Sequence, residues 1–186
     1  YKEGMSISGK EIPRMQVWYQ EKKKYFNENW KYQYERWKSE EYDDFLLQIQ
    51  EAVNQKTNHL INEYCPNIDK PLINSCLVNK YRDGKDSIKP HRDTPDSFGE
   101  YPTISVLSIG GKRKIVFRKI DYDLKNYNSM KKDKTSEVDF EMELEDNSLF
   151  LMGGASQKYY SHEIPKTNST ETRYSLTFRE FKYLNE

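Results

Sequence analysis

The chain has 186 residues, 14% of them aromatic and 32% charged, and its 30 basic and 30 acidic residues cancel to a formal net charge of zero. That length suits one domain with a real core. The neutral balance argues against non-specific wrapping of nucleic acid by the whole protein, although it leaves room for a local basic face. No apolar run is long enough to span a bilayer, no signal-peptide pattern opens the sequence, and two cysteines, Cys65 and Cys76, are too few for a disulfide framework. The expectation is a reduced, intracellular, monomeric protein with no membrane partner.

Residues 1–38 are rich in Tyr, Trp and Lys without a clear period and read as an N-terminal flank or lid. From Ser39 to Tyr64 the apolar residues Phe45, Leu46, Ile49, Val53, Leu60 and Ile61 recur at helical spacing, with Ser39 and Glu40–Glu41 as the expected N-terminus. Beyond Pro66 the pattern turns strand-like, with short runs at 73–81, 103–109, 114–118, 138–144, 148–152 and 173–181 separated by turn residues. Gly110–Gly111 reads as a hairpin between two of them, and the polar stretch 121–137 as a hairpin tip or insertion. A leading helix followed by many short strands predicts an α+β fold with helices packed on a jelly-roll or barrel, and a core over 70–186.

Side chains alternate across a strand, so residues two apart share a face. His91 and Asp93 in KPHRDTP share one, as do Asn79 and Tyr81. In RYSLTFR the residues Arg173, Ser175, Thr177 and Arg179 fall on one face and Tyr174, Leu176 and Phe178 on the other. A face ending in two arginines is costly to bury without anions. The chain has three histidines, His59, His91 and His162. His91-x-Asp93 followed by the distant His162 has the composition of a two-histidine, one-carboxylate facial triad, which leaves open positions on Fe(II). His59 lies in the helical segment. The run KRKIVFRK, Lys112 to Lys119, holds five basic residues in eight, and Lys22–Lys24 form a second cluster. Each reads either as a solvated face or as a rim for phosphates.

In order and spacing, the stretches NKYRDGKDSIKPHRD (79–93), PTISVLSIGGKRKIVFR (102–118), SLFLMGG (148–154) and RYSLTFR (173–179) resemble the AlkB family of iron(II)/2-oxoglutarate dioxygenases, and in particular its nucleic-acid demethylase branch. PRMQVWY (13–19) and YQY (32–34) resemble segments that precede the helix in those enzymes. The resemblance implies a double-stranded β-helix, or jelly-roll, with a flanking N-terminal helix (39–64) and a nucleotide-recognition lid (1–38), all in a single domain over 1–186. Carried over residue by residue, it makes His91, Asp93 and His162 the Fe(II) ligands. It makes Asn79, Tyr81, Arg173, Ser175 and Arg179 the contacts of 2-oxoglutarate. Ser175 stands where many relatives carry Asn, which weakens one expected hydrogen bond. Tyr34, Tyr32, Arg92 and Tyr160 become substrate contacts, Tyr34 preferred over Tyr32 as the stacking partner and Tyr160 read as a wall. Trp18, Tyr19 and Trp30 are open between stacking and plain packing.

The activity so implied is oxidative demethylation of N-alkylated bases, of the 1-methyladenine and 3-methylcytosine type, in DNA or RNA. 2-Oxoglutarate and O2 are consumed, and succinate, CO2 and formaldehyde are released. No catalytic side chain is needed beyond the metal centre, because iron and cosubstrate carry the chemistry. The base must be flipped or single-stranded to reach the metal. Repair members of the family carry an acid one or two positions after the metal Asp, whereas here Thr94 and Pro95 stand there, which puts base identity in doubt. An alternative keeps the iron and cosubstrate but takes a protein side chain or a tRNA modification as substrate.

Overall fold

The computed structural model describes residues 2–5, 11–21, 38–120 and 137–182. Among these residues ten strands and three helices follow one another: β1 (Lys2–Met5), β2 (Glu11–Gln20), α1 (Asp44–Tyr64), β3 (Ser75–Tyr81), β4 (Ile88–His91), α2 (Pro95–Phe98), β5 (Ile104–Gly110), β6 (Arg113–Lys119), β7 (Val138–Leu144), β8 (Ser148–Met152), α3 (Ser156–Tyr159), β9 (Tyr160–Ile164) and β10 (Arg173–Arg179). They form a six-stranded sheet in the order β1-β2-β3-β10-β5-β8 and a four-stranded sheet in the order β4-β9-β6-β7. The strand pairs recorded within both sheets are antiparallel. From β3 onward the chain passes back and forth between the two sheets, and this winding is the double-stranded β-helix the sequence led us to expect.

Two apolar layers hold the roll. Between the sheets lie Tyr81, Ile104, Val106, Ile115, Phe117, Leu144, Met152 and Ile164. On the outer face of the large sheet, Cys76, Val78, Leu176 and Phe178 meet Leu46 and Val53 of α1. The period-two alternation of β10 therefore serves both layers at once. Its even positions lie under the helix, and its odd positions face the small sheet. A smaller cluster of Trp18, Leu77, Phe98 and Phe181 closes one end.

Three expectations need correction. Residues 11–20 are no unpatterned flank: β2 pairs with β3 in register, Gln16 opposite Asn79 and Trp18 opposite Leu77. Its signal was the alternation of Met15, Val17 and Tyr19, masked because the other face mixes Arg14 and Gln16 with Trp18. Trp18 is buried in the end cluster and Tyr19 packs on Tyr42, with centroids 5.9 Å apart, so both are packing residues. Helix α1 starts at Asp44 and not at Ser39. The Asp43 carboxylate accepts from Leu46 N–H at 2.7 Å and caps it, while Glu40 is held to β2 by the bonds Glu40 N–H to Trp18 O and Gln20 N–H to Glu40 O.

Gly110–Gly111, expected as a hairpin, instead carries the chain from one sheet to the other, because β5 and β6 belong to different sheets. Gly110 has φ +90°, and a Cβ there would sit 2.5 Å from the Thr172 carbonyl oxygen. Gly111 N–H donates to that same carbonyl. The turn is thus pinned to the start of β10. All but the last residue of the expected hairpin tip at 121–137, the Lys22–Lys24 cluster, Trp30, Tyr32 and Tyr34 lie outside the described residues.

Candidate metal centre

Register brings the two histidines together. His91 ends β4 and pairs directly with His162 of β9, and their rings lie 4.2 Å apart between centroids. Asp93 follows two residues on. The candidate ligand atoms of His91, Asp93 and His162 all lie within 4.8 Å of one another. Asp93 and His162 are buried, and His91 is half-buried at the mouth. His59 is not in this group but is exposed on α1 beside Glu63.

The electrostatics suit a divalent cation. Burial lowers the affinity of both imidazoles for protons. For His162, with His91 adding to the effect, the pKa falls to about 3. For His91 the shift is also downward, from burial, partly opposed by Asp93 and the Lys89 carbonyl. Burial alone would push the Asp93 carboxyl up, but Arg179 and the two histidines outweigh it and hold Asp93 below the usual range. Two neutral imidazoles and one carboxylate, all with lone pairs available, are the donor set of a facial Fe(II) site. The tautomer of His91 follows from its neighbour. Nδ1 lies 2.9 Å from Lys89 O, a carbonyl can only accept, and so Nδ1 carries the proton and Nε2 is left bare.

Asp93 is braced twice more. Arg179 Nε donates to its Oδ2, and Arg179 Nη2 lies 3.4 Å from its Oδ1. The backbone N–H of Asp93 donates to Gln157 Oε1 at 2.9 Å. Gln157 is buried on α3, the short helix that follows Gly153–Gly154. Sequence reasoning did not single it out, since a lone Gln in a polar stretch carries no signal.

Beside this group lies an anion-sized need. Arg173 and Arg179 are 1% and 5% exposed, yet Nε and Nη1 of Arg173 and Nη1 of Arg179 meet no hydrogen-bond partner among the described residues. Arg173 donates from Nη2 to Ser108 Oγ at 2.8 Å and stacks its guanidinium on the Tyr81 ring at 5.4 Å. Asn79, Tyr81, Ser175 and Arg173 share the inner face, with Ser175 opposite Asn79 and Arg173 opposite Tyr81. Ser175 Oγ lies 3.4 Å from Thr177 Oγ1. Donors left unmet in a buried place call for an acceptor, and a dicarboxylate fits that description. Arg113 stacks on Tyr81 as well, at 5.3 Å, but its Nη atoms go to the carbonyls of Asp83, Asp86 and Pro165.

From the metal group a series of rings runs outward. Phe117 lies 6.0 Å from His162, stacks on Phe140 at 4.5 Å and 11°, and Phe140 meets Tyr160 edge-on at 5.7 Å. Tyr160 is half-buried here, as is Arg92. The expected basic rim does not stand free. Lys112 pairs with Glu143, Lys114 with Glu141, Arg118 with Glu163 and Lys119 with Asp139, while Arg113 is buried. β7 and β9 set their carboxylates opposite the basic run, so it is largely neutralised. Thr94 precedes the one-turn helix α2. No helix among the described residues is long and apolar enough to cross a membrane.

These features agree with the comparisons. A family model described as the 2OG-Fe(II) oxygenase superfamily matches residues 2–179. The chain belongs to that superfamily and, within it, to the AlkB family. The alpha-ketoglutarate-dependent dioxygenase alkB homolog 3 of Rattus norvegicus is 38% identical over 108 residues, covering 58% of this chain and 35% of that protein. The DNA oxidative demethylase ALKBH2 of Arabidopsis thaliana is 31% identical over 117 residues, covering 58% of this chain and 37% of that protein. The chain thus spans well under half the length of these curated relatives. The solved structure of OsALKBH1 superposes with a TM-score of 0.54 at 16% identity, over 78% of this chain and 69% of that one, a likeness of fold. The family works with Fe(II) and 2-oxoglutarate, and the donor set and the unmet guanidinium donors described above fit both.

Proposed function

We propose that this protein is an Fe(II)- and 2-oxoglutarate-dependent oxidative demethylase of N-alkylated bases in nucleic acid. The observation that carries the reading is the convergence of His91, Asp93 and His162 within 4.8 Å of one another, beside two buried arginines with unmet donors. Its sequence relatives include a protein named as a DNA oxidative demethylase, which favours a base over a protein side chain.

In this reading His91, Asp93 and His162 hold the iron from one side. Arg173 and Tyr81 receive the far carboxylate of 2-oxoglutarate in a charge-assisted contact. Asn79, Ser175 and the unpartnered Nη1 of Arg179 face the metal-proximal end. Arg179 also keeps the Asp93 carboxylate from turning. When bound, the iron with 2-oxoglutarate and O2 supplies the oxidation, in which the cosubstrate becomes succinate and CO2 and the N-methyl carbon leaves as formaldehyde. The chain's own part is to orient the groups and exclude water, and no side chain acts as a general base. The half-buried His91 ring and, by family resemblance, Tyr34 flank the base. Arg92 and Tyr160 line its approach, and Tyr32 is the alternative to Tyr34 by the same resemblance.

The test is a panel of methylated oligonucleotides, with formaldehyde release and 2-oxoglutarate consumption followed together. Stoichiometric release from 1-methyladenine or 3-methylcytosine is expected. Asp93→Ala should abolish both signals with the fold retained by circular dichroism, and Tyr34→Ala should slow formaldehyde release while uncoupled consumption continues. Consumption of 2-oxoglutarate with no formaldehyde from any oligonucleotide would transfer the reading to a protein or tRNA-modification substrate.

A further inference from the structure

Strand β2 reaches into the cleft with two donors that converge on one atom. Arg14 Nε donates to Asn79 Oδ1 at 2.9 Å, and Gln16 Nε2 donates to the same oxygen at 2.9 Å. The register makes this unavoidable, because Gln16 sits directly opposite Asn79 and Arg14 two residues along on the same face. Arg14 is also braced from its other end, Nη1 donating to Ser87 O at 3.1 Å.

The chemistry of the donors decides more than the distances do. A guanidinium has no acceptor. The Asn79 atom facing Arg14 must therefore be the oxygen, and the Gln16 atom meeting that oxygen must be its NH2. With both lone pairs of Oδ1 engaged, the Asn79 amide cannot turn over without leaving two donors unmet in a half-buried place. Its remaining end is the NH2 group, on the inner face opposite Ser175. A carboxylate accepts and never donates. An Asn that is free to flip would present the wrong end to such a ligand for part of the time. This one is held to the right end.

We propose that Arg14 and Gln16 are positioning residues for the cosubstrate: they lock the Asn79 amide so that its NH2 faces the acid-binding cleft. The proposal rests on the reading of that cleft as the 2-oxoglutarate site. It moves β2 out of the lid and into the cosubstrate-binding machinery. It also offsets the loss at Ser175, where a hydroxyl stands in place of the family's second amide.

The experiment is calorimetric titration of Mn(II)-loaded protein with 2-oxoglutarate, so that binding is read without turnover. Gln16→Leu and Arg14→Met should each weaken 2-oxoglutarate binding by about three- to tenfold, with Mn(II) affinity and the thermal midpoint of Gln16→Leu essentially unchanged. The decisive comparison is made in the Asn79→Ala background, where Gln16→Leu should add nothing, because its effect passes through the amide. Equal weakening by Gln16→Leu in both backgrounds would overturn the proposal, as would no weakening in either. Arg14→Met removes the Ser87 brace too, so Gln16→Leu decides if that variant fails to fold. Arg173→Ala separates the two levels of inference. If it binds 2-oxoglutarate as tightly as the unaltered protein, the reading of the cleft falls. If it loses binding while the Gln16 cycle shows no coupling, the positioning role alone falls.

Discussion

Strand β10 buries two guanidinium groups, while β7 holds Phe140 and Met142 at 44% and 42% exposure. Each reverses the usual placement of polar and apolar side chains, and the two strands do so on the faces that look toward the roll's interior. Position in the sheets explains the difference. β10 lies between β3 and β5, so everything on its inner face is desolvated whatever its charge. Among the described residues β7 is the edge of the small sheet, with β6 as its one partner, and its inner face is open to water. Arg179 pairs with Asp93 while Arg173 keeps Nε and Nη1 for an anion, and the exposed Phe140 ring lies in the outer part of the series that starts at His162. Burial here reports where a strand sits in the fold, and the residues that contradict it mark the cleft.

Four substitutions sharpen that contrast, ordered by expected size. Phe178→Ala removes a fully buried ring from the α1 side of β10 and should destabilise the protein by about 3–5 kcal/mol in chemical denaturation. A loss under about 1 kcal/mol would mean that this layer is not packed as described. Arg173→Met acts on the opposite face of the same strand. It should raise the half-saturating 2-oxoglutarate concentration about ten- to over a hundredfold. Without cosubstrate it should leave the thermal midpoint unchanged or raise it, because a buried cation lacking an anion destabilises the fold that carries it. A fall in the midpoint of several degrees would show that Arg173 has a structural task beyond its bond to Ser108.

Phe140→Ala deletes a ring that is stacked on Phe117 but half in water, and its effect on stability should stay below about 1.5 kcal/mol by the same denaturation assay. A cost as large as that of Phe178→Ala would erase the distinction between the two strands. Smallest of all is Lys114→Ala, which opens the exposed pair with Glu141 and should change stability by no more than about 1 kcal/mol. Because the run is already paired, its affinity for a methylated oligonucleotide at physiological salt should change less than twofold. A large loss would favour the reading of this run as a rim for phosphates.

Much of the site was legible because its logic is local. The His91-x-Asp93 spacing and the alternation of Arg173, Ser175, Thr177 and Arg179 need only the period of a strand. The helix was legible from Phe45 to Ile61, but its start was not, since Asp43 and Ser39 are both good caps and the choice was made by Glu40 pairing with β2. The strand β2 was missed because its inner face alternates Arg, Gln and Trp, a mixture that makes sense only once Asn79 is seen opposite. The basic run stayed open between two readings for the same reason: Glu141, Glu143, Asp139 and Glu163 are distant in sequence or separated by a long segment, and nothing local says that they will face it.

What the sequence by itself determined is therefore which side chains share a face and which chemistry they can do: two imidazoles, one carboxylate and a strand with both arginines on one face. Tertiary structure alone decided who meets whom across the strands. It set His91 against His162, turned Arg179 to Asp93, gave the Lys112–Lys119 run its carboxylates and brought Arg14 and Gln16 onto Asn79. The physical reason is range. Face-sharing follows from the backbone period of one strand, whereas cross-strand partners depend on register and sheet order, which are set by burying the two apolar layers of the whole roll at once.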